Sequence, residues 1–272
     1  MSVIKIENLV RDYGGGKGVF DISFHVNQGE AFGFLGPNGA GKTTTIRHLM
    51  GFIKPKSGKC TIDGLDCWSE RDKVQARLGY IPGEISFFDD MTGTEFLRFI
   101  AEYRKIDTRN RMAELLERFE LDPKSKIKKM SKGMKQKLGI VAAFMHDPDI
   151  LILDEPTSGL DPLMQSRFVN LVAEEKEHGK TILMSSHMFE EVERTCDRIG
   201  IIRKGRMVAV DFATTLHERH TRSYTVTLES EANAKAFAVE FGGICNGKKV
   251  TVTTKQSLEE IFMNYYGGEK NV

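Results

Sequence analysis

The first part of the chain alternates between apolar and polar residues, and later segments replace this alternation with short, unbroken apolar runs. The alternation over Val3–Leu9 and Val19–Val26 predicts two strands of an antiparallel β subdomain. The runs Ala31–Leu35, Ile150–Leu153 and Thr181–Met184 are typical of strands that are buried on both faces of a parallel sheet.

Helical patterns lie between these strands. A helix is predicted from Thr43 to a cap at Gly51. Another is predicted after Asp161-Pro162, an N-cap residue followed by proline at the first helical position. Further apolar stripes at helical spacing indicate a helical segment inserted at about residues 84–148. Strands that alternate with helices predict an α/β fold with a mainly parallel sheet.

The last part of the chain predicts a small α+β appendage over residues 215–272, after a main domain over residues 1–214. Ser223–Leu228 and Lys249–Thr253 alternate as strands, and Ala232–Phe241 has a helical pattern. Ser257–Tyr266 is also predicted to be a helix, and it opens with the Ser-x-x-Glu spacing of a capping box. No residue of the appendage indicates a chemistry, so its role stays open.

Composition and charge are those of an ordinary globular protein. The net charge of +1 does not indicate a nucleic-acid or an acidic partner. No apolar run is long enough to span a bilayer, and the first residues lack the layout of a signal peptide. The four cysteines are scattered without paired metal spacing, which predicts reduced thiols. We therefore expect a cytoplasmic chain, with any membrane-spanning part supplied by another protein.

A glycine-rich loop follows the first buried strand. Gly36-Pro37-Asn38-Gly39-Ala40-Gly41-Lys42-Thr43 matches the Walker A pattern between a predicted strand and a predicted helix. Backbone N–H groups and the helix N-terminus would hold phosphates, Lys42 would add a positive charge, and the Thr43 hydroxyl would ligate Mg²⁺. We expect this loop, together with Thr44, to bind ATP. The alternative is a structural glycine turn, which matches the pattern only by chance.

Two carboxylates stand at the end of the second buried strand, at the edge where open parallel sheets bind ligands. Asp154 is expected to hold Mg²⁺, directly or through water, and Glu155 to polarise the water that attacks the γ-phosphate. An isolated Asp-Glu pair in this place is more often a loop start or a helix cap. Beside a phosphate loop, the metal and catalytic interpretation is favoured.

Further segments, in the same order, resemble the ATP-binding cassette (ABC) ATPases of transporters. The phosphate loop is followed by the signature-like Lys129-Met130-Ser131-Lys132-Gly133-Met134-Lys135-Gln136, then by Asp154-Glu155, Ser158-Gly159-Leu160-Asp161 and Ser186-His187. The resemblance covers roughly residues 4 to 211. It implies a P-loop NTPase core that carries the antiparallel subdomain and the helical insertion.

The resemblance also implies roles for single residues. Tyr13 matches the aromatic residue that stacks on adenine, and the less favoured alternative is an edge-strand aromatic. Ser131 and Gly133 match residues that contact the γ-phosphate of ATP held by the opposite subunit. His187 matches the histidine that touches the γ-phosphate and positions water. Asp161 matches the aspartate that crosses the dimer interface, a role compatible with capping a helix. The expected catalytic residues are Glu155, His187 and Lys42.

The same resemblance implies an assembly. Such ATPases pair head to tail, because the signature segment of one subunit completes the nucleotide site of the other. The expected partners are a second ATP-binding subunit and a separate polytopic membrane subunit, with the chain peripheral on the inner face of the membrane. The Met-Ser-Lys-Gly-Met form of the signature resembles exporters of drugs, lantibiotics and polysaccharides, so export is expected.

Gly83 departs from the family pattern, which has glutamine after the Gly-Tyr-x-Pro run. Either Glu84 takes over the role of that glutamine, or the loop acts as a hinge between subdomains.

Two other functions remain open at this point. The segment Lys124–Lys137 holds seven lysines, which would suit a nucleic-acid patch, although a solvated face beside the signature is favoured. Cassette ATPases that act in DNA repair or on the ribosome have long coiled coils or a second Walker A, and neither pattern is present. The other alternative is a regulatory ATPase with little turnover, against which Glu155 and His187 argue.

Overall fold

The computed structural model describes residues 1–88, 90–219 and 221–267. Contacts within it divide the chain into two compact units, one over Met1–Val210 and one from Asp211 onwards. The domain limits predicted from the sequence, between residues 214 and 215, stay a prediction.

The first unit opens with three consecutive strands, and helices are interspersed among the strands after them. Its strands are β1 (Ser2–Gly14), β2 (Lys17–Asn27), β3 (Ala31–Leu35), β4 (Ser57–Ile62), β5 (Leu65–Asp66), β6 (Leu78–Ile81), β7 (Ile150–Asp154), β8 (Thr181–Ser186), β9 (Arg198–Arg203) and β10 (Arg206–Phe212). Its helices are α1 (Lys42–Leu49), α2 (Arg71–Ala76), α3 (Gly93–Arg104), α4 (Arg109–Arg118), α5 (Lys132–Phe144), α6 (Pro162–Glu177) and α7 (Phe189–Thr195).

A six-stranded sheet in the order β10-β9-β3-β8-β7-β6 forms the centre of this unit. β3 pairs in parallel with β8 and β9, and β7 pairs in parallel with β6 and β8. Every residue of β3, β7 and β8 is buried, as the unbroken apolar runs predict. Leu35 lies opposite Ser186, and Asp154 lies opposite Ser185. The three strands therefore end together, and the phosphate loop, the carboxylates and His187 leave the sheet at one edge.

A second, antiparallel sheet has the order β2-β1-β4-β5 and confirms the predicted antiparallel subdomain. Its buried side chains pack against β3 and α1. Phe24 stacks on Phe32 with 4.9 Å between the ring centroids, and Ile46 and Leu49 of α1 belong to the same buried cluster. This packing joins the helix that follows the phosphate loop to both sheets.

The inserted helical segment consists of α3, α4 and α5. Thr92 opens α3 with a capping box in which Glu95 is the partner, and Lys105 ends the helix with a φ of 55°. That left-handed residue explains why the apolar stripes predicted from the sequence split into two helices. An ion pair between Arg111 and Glu175 joins α4 to α6, so the inserted helices are tied to the core.

The second unit has its own α+β arrangement. Strands β11 (Thr221–Thr227), β12 (Ile244–Asn246) and β13 (Lys249–Lys255) form an antiparallel sheet in the order β11-β13-β12, and the helices are α8 (Ala213–Arg219), α9 (Glu231–Phe241) and α10 (Leu258–Gly267). The predicted capping box is present, because Ser257 and Glu260 exchange backbone–side-chain hydrogen bonds. Residues 268–272 of the predicted appendage lie outside the described residues. None of the helices described here is both long and apolar enough to cross a membrane.

Candidate active site

The loop between β3 and α1 is shaped by its glycines. Gly39 and Gly41 have φ values of 79° and 112°, a region of backbone conformation that favours glycine. A side chain at Gly36 would lie 2.7 Å from the carbonyl oxygen of Ile202, so this position also needs glycine. α1 begins at Lys42 without a side-chain cap, which leaves the N–H groups of its first turn for a phosphate. The other predicted residues of the loop are Asn38 (exposed), Ala40 (buried), Thr43 and Thr44 (both half-buried).

Lys42 holds its positive charge inside this loop. The side chain is 5% exposed. Its Nζ donates to the carbonyl oxygen of Gly36 at 2.6 Å and to that of Pro37 at 3.3 Å. The same Nζ lies 2.9 Å from Oε1 of Glu155. A buried cation in this position attracts phosphate groups, since little water screens its charge.

Asp154 is fully buried at the end of β7. Its Oδ1 accepts a hydrogen bond from the hydroxyl of Ser185 at 2.5 Å, and its Oδ2 has no partner with hydrogen-bond geometry. Burial raises the pKa of Asp154, and the nearby hydroxyls of Ser185 and Thr43 oppose this shift. A buried carboxylate oxygen without a partner is costly unless a cation pairs with it.

The oxygens around Asp154 suit Mg²⁺. In nucleotide sites this ion is bound through one or two carboxylates together with phosphate oxygens. Oδ2 of Asp154 and the hydroxyl of Thr43 are ligands of this kind. Across the described residues, no three His, Cys, Asp or Glu side chains form a metal cluster. Mg²⁺ at a phosphate loop does not require such a cluster, because phosphate oxygens supply further ligands beside a single carboxylate. Gly83 borders this place: a Cβ there would lie 3.0 Å from Oδ2, whereas Glu84 is exposed.

Glu155 lies between an ammonium group and an imidazole. Its Oε1 forms an ion pair with Lys42 that lacks hydrogen-bond geometry, and its Oε2 is 2.5 Å from Nδ1 of His187. Its backbone is left-handed with a φ of 49°, which costs a residue with a side chain about 1–2 kcal/mol. The N–H group is held by the carbonyl oxygen of Ser185 at 3.1 Å and by its hydroxyl at 3.2 Å. The fold therefore brings the three predicted catalytic side chains together.

The loop that carries His187 is fixed from behind by a buried carboxyl group. Glu191 is 4% exposed, and its Oε2 accepts a hydrogen bond from the Ser186 hydroxyl at 2.8 Å. The same hydroxyl accepts from the N–H of Met188 at 2.9 Å. Burial raises the pKa of Glu191, and the nearby hydroxyls of Thr157 and Ser186 oppose the shift. Both neighbours of His187 are thus held by Glu191, directly or through one hydroxyl.

Tyr13 lies near the tip of the β1–β2 hairpin, and half of it is exposed. The guanidinium carbon of Arg11 is 5.2 Å from its ring centroid. The hairpin itself reaches the phosphate loop, since a Cβ at Gly41 would lie 2.9 Å from Cγ1 of Val19. Within the described part of the chain, no hydrogen bond or ring contact joins Tyr13 to that loop, so its contact with adenine stays a prediction.

The signature residues lie at a second place. Ser131 is the N-cap of α5 and accepts a hydrogen bond from the N–H of Met134 at 3.2 Å. A Cβ at Gly133 would lie 2.9 Å from the carbonyl oxygen of Gly159, so α5 begins directly against the loop after Glu155. Asp161 follows in that loop and caps α6, which confirms its predicted capping role. Among the described residues, no hydrogen bond or ion pair joins Ser131, Gly133 or Asp161 to Lys42 or His187.

Three buried polar residues that support the site were missed from the sequence. Ser185 holds both carboxylate residues, Glu191 holds the His187 loop, and Gln136 donates to the carbonyl oxygen of Pro156 at 2.6 Å. A signal existed for Ser185, because Ser185-Ser186 ends an otherwise apolar run at the edge where ligands bind. The partners of Glu191 and Gln136 depend on how α7 and α5 pack. Gln136 ends the signature-like segment, but that segment does not indicate a contact with Pro156.

Comparisons with known proteins agree with this geometry. The ABC transporter family model matches residues 19–158. The linearmycin resistance ATP-binding protein LnrL of Bacillus subtilis is 38% identical over 255 residues, which cover 92% of this chain and 82% of that protein. The bacitracin transport ATP-binding protein BcrA of Bacillus licheniformis is 41% identical over 212 residues, covering 76% and 69%. A solved ATP-binding subunit of an ABC transporter has a TM-score of 0.74 and 32% identity, covering 80% of this chain and 93% of that one.

These matches confirm the fold and the family that the motifs predicted. Cassettes of this family dimerise and work with membrane subunits in transporters. A role on nucleic acid, or as a regulator with little turnover, is not favoured. The chain belongs to the ABC transporter family, in which it is an ATP-binding and ATP-hydrolysing subunit.

Proposed function

We propose that the chain hydrolyses ATP with Mg²⁺ in a head-to-tail dimer, and that this reaction drives a separate membrane subunit that exports its substrate. The observation that supports the chemistry best is the position of Glu155, in contact with both Lys42 and His187 where the phosphate loop leaves the sheet. A carboxylate placed beside a phosphate site, and oriented by an imidazole, suits the activation of water.

Each residue has a distinct part in the proposed reaction. The N–H groups at the start of α1 hold the phosphates, and Lys42 neutralises charge that develops on their oxygens. Glu155 orients the attacking water and accepts its proton, while His187 holds the carboxylate in place. Asp154 and Thr43 would hold Mg²⁺, which would supply positive charge against the negative charge of the phosphates.

The dimer completes the site. Ser131 and Asp161 are exposed, and no described hydrogen bond or ion pair connects them to Lys42 on the same chain. The N-terminus of α5, where Ser131 lies, suits an anion such as a γ-phosphate. In a two-fold arrangement that phosphate belongs to the nucleotide of the partner, so each dimer has two composite sites.

A groove between the core and the inserted helices is the proposed contact for the membrane subunit. It has a volume of about 580 Å³ and is lined by apolar residues that include Phe52, Tyr80, Ile100 and Tyr103. Phe52 and Tyr103 are 53% and 78% exposed, and with the groove they form an exposed apolar patch of the kind that marks interaction sites.

The loop before the inserted helices adds one further apolar side chain. Phe88 is 56% exposed, whereas Phe87 packs edge-on against Phe96. Export is favoured by relatives that are named for linearmycin resistance, bacitracin transport and Nod factor export.

The chemistry is tested by Glu155→Gln in the full-length chain. We expect ATP binding to remain, hydrolysis to fall by at least about a hundredfold, and a dimer to accumulate with ATP in size-exclusion chromatography. Glu84→Gln is the matched control, because Glu84 is an exposed acid in the loop beside Asp154 and should keep its activity. Full hydrolysis by Glu155→Gln would remove Glu155 from the reaction, and loss of activity in Glu84→Gln would transfer that role to Glu84.

A further inference from the structure

We propose that Gln136 is a positioning residue for Glu155, and that it ties the signature segment to the catalytic carboxylate of the same chain. This inference rests on the proposed function, in which Glu155 acts on the attacking water. Gln136 lies in the second turn of α5, and its side chain is 5% exposed. It has no place in the phosphate loop, the metal site or the His187 loop.

The contact itself is short and buried. Nε2 of Gln136 donates to the carbonyl oxygen of Pro156 at 2.6 Å, and Pro156 follows Glu155 directly in the chain. A buried carbonyl oxygen requires a donor, because leaving it unpaired costs free energy. The hydrogen bond from Gln136 therefore fixes the peptide group immediately after the catalytic residue.

The backbone of Glu155 needs such support. With a φ of 49°, it persists only where its surroundings hold it in place. On one side, its N–H group is bonded to Ser185. On the other side, its carbonyl oxygen accepts the N–H of Ser158 at 3.2 Å, and Gln136 holds Pro156 between them. Removal of the Gln136 carboxamide would release the backbone that follows Glu155. The Glu155 carboxylate would then be oriented less precisely towards the attacking water.

Neighbouring contacts extend the same connection. Lys132 donates from Nζ to the hydroxyl of Ser158 at 3.1 Å. Its side chain also covers Gly159, where a Cβ would lie within 3.0–3.1 Å of three of its carbons. The first two turns of α5 thus touch the loop at Pro156, Ser158 and Gly159. A shift of α5, whose first residues are proposed to meet the nucleotide of the partner, is therefore transmitted to Glu155.

The test compares Gln136→Leu and Gln136→Glu in the full-length chain. Leucine keeps the approximate volume and removes the donor, so we expect kcat to fall between about tenfold and about a hundredfold while KM for ATP changes by less than about twofold. The matched control is Gln75→Leu, which removes a similar carboxamide bond, to the carbonyl oxygen of Met50 at 2.8 Å, far along the chain from Glu155. This control should keep the parent kcat.

A pH profile separates positioning from packing. The carboxyl group of Gln136→Glu donates only when it is protonated, so its kcat relative to that of Gln136→Leu should rise as the pH falls. In single-turnover experiments, Gln136→Leu should have little further effect on a chain that already carries Glu155→Gln, because it acts through Glu155.

Two results would overturn the inference without touching the proposed function: a parent kcat in Gln136→Leu while Glu155→Gln is inactive, or fully additive losses in the double variant. If Gln136→Leu does not fold, Gln136→Glu is compared with the parent instead. A ratio of the kcat of Gln136→Glu to the kcat of the parent that stays constant across the pH range would then overturn the inference. Full activity of Glu155→Gln would instead refute the proposed function itself.

Discussion

Ser185→Ala removes one hydroxyl that holds both carboxylate residues of the site. The hydroxyl donates to Oδ1 of Asp154 at 2.5 Å and accepts from the N–H of Glu155 at 3.2 Å. A hydrogen bond to a charged group contributes about 1.5–3 kcal/mol. The N–H of Glu155 keeps its bond to the carbonyl oxygen of Ser185 at 3.1 Å, so the loss of its second bond, to the Ser185 hydroxyl, adds little to the cost. We expect the free energy of unfolding to fall by about 2–3 kcal/mol at neutral pH.

Urea unfolding measures this loss, and a thermal scan should show a Tm lower by roughly 4–12 °C for a unit of this size. Ser23→Ala is the matched control. Its hydroxyl accepts from the N–H of Asn8 at 2.8 Å on an exposed surface, where loss of such a bond changes stability by less than about 0.5 kcal/mol. A loss for Ser185→Ala no larger than that of Ser23→Ala would refute the reasoning.

The pH dependence gives a second check. The folded pKa of Asp154 lies above its ordinary value of 3.8, so the folded chain binds more protons than the unfolded chain between these two values, and stability falls as the pH rises through that window. Without the Ser185 hydroxyl the folded pKa rises further, which makes this fall larger. The difference in free energy of unfolding between the parent and Ser185→Ala should therefore grow from acid towards neutral pH. A difference that grows on acidification would contradict the assignment to the Asp154 carboxylate.

Two further predictions concern the metal and the dimer. Gly83→Ala would place a Cβ 3.0 Å from Oδ2 of Asp154. We therefore expect the Mg²⁺ concentration for half-maximal ATP hydrolysis to rise by about tenfold and the free energy of unfolding to fall by about 1–3 kcal/mol. An unchanged Mg²⁺ dependence would contradict this contact. Asp161→Ala should destabilise the chain by about 1 kcal/mol through the lost cap of α6. Asp161→Asn should keep the cap and weaken only the ATP-dependent dimer seen by size-exclusion chromatography; an unchanged dimer would contradict a role of the charge at the interface.

The parts of the fold that were predicted correctly have strong local patterns. β3 was predicted at its full extent, Ala31–Leu35, because a buried strand between a turn and a glycine loop has no competing interpretation. β4 was not predicted, since only Cys60 and Ile62 of its six residues are buried and the segment lacks a long alternation. β6 was missed because Gly79 and Tyr80 interrupt its apolar run.

The candidate site divides in the same way. Residues that touch the phosphates and the metal stand in fixed spacings, so the phosphate loop and Asp154-Glu155 were found from the sequence. Residues that hold them act across the fold: Ser185 is 31 positions from Asp154, and Gln136 is 20 positions from Pro156. Their side chains are recognisable only once the sheet and α5 are in place. The proposed contacts of Tyr13 and Ser131 need a nucleotide and a second subunit, and they stay predictions.

The left-handed backbone of Glu155 has a genetic consequence. Glycine and asparagine adopt a φ of 49° at lower cost than glutamate, and this gain offsets part of the stability lost with the ion pair to Lys42, so a chain altered to either residue should still fold. Such a subunit would be inactive yet abundant, and it would compete for the same dimer and membrane partners. Substitutions at Glu155 should therefore act dominantly over the parent allele. Substitutions at Ser185, which deplete the folded chain, should be recessive.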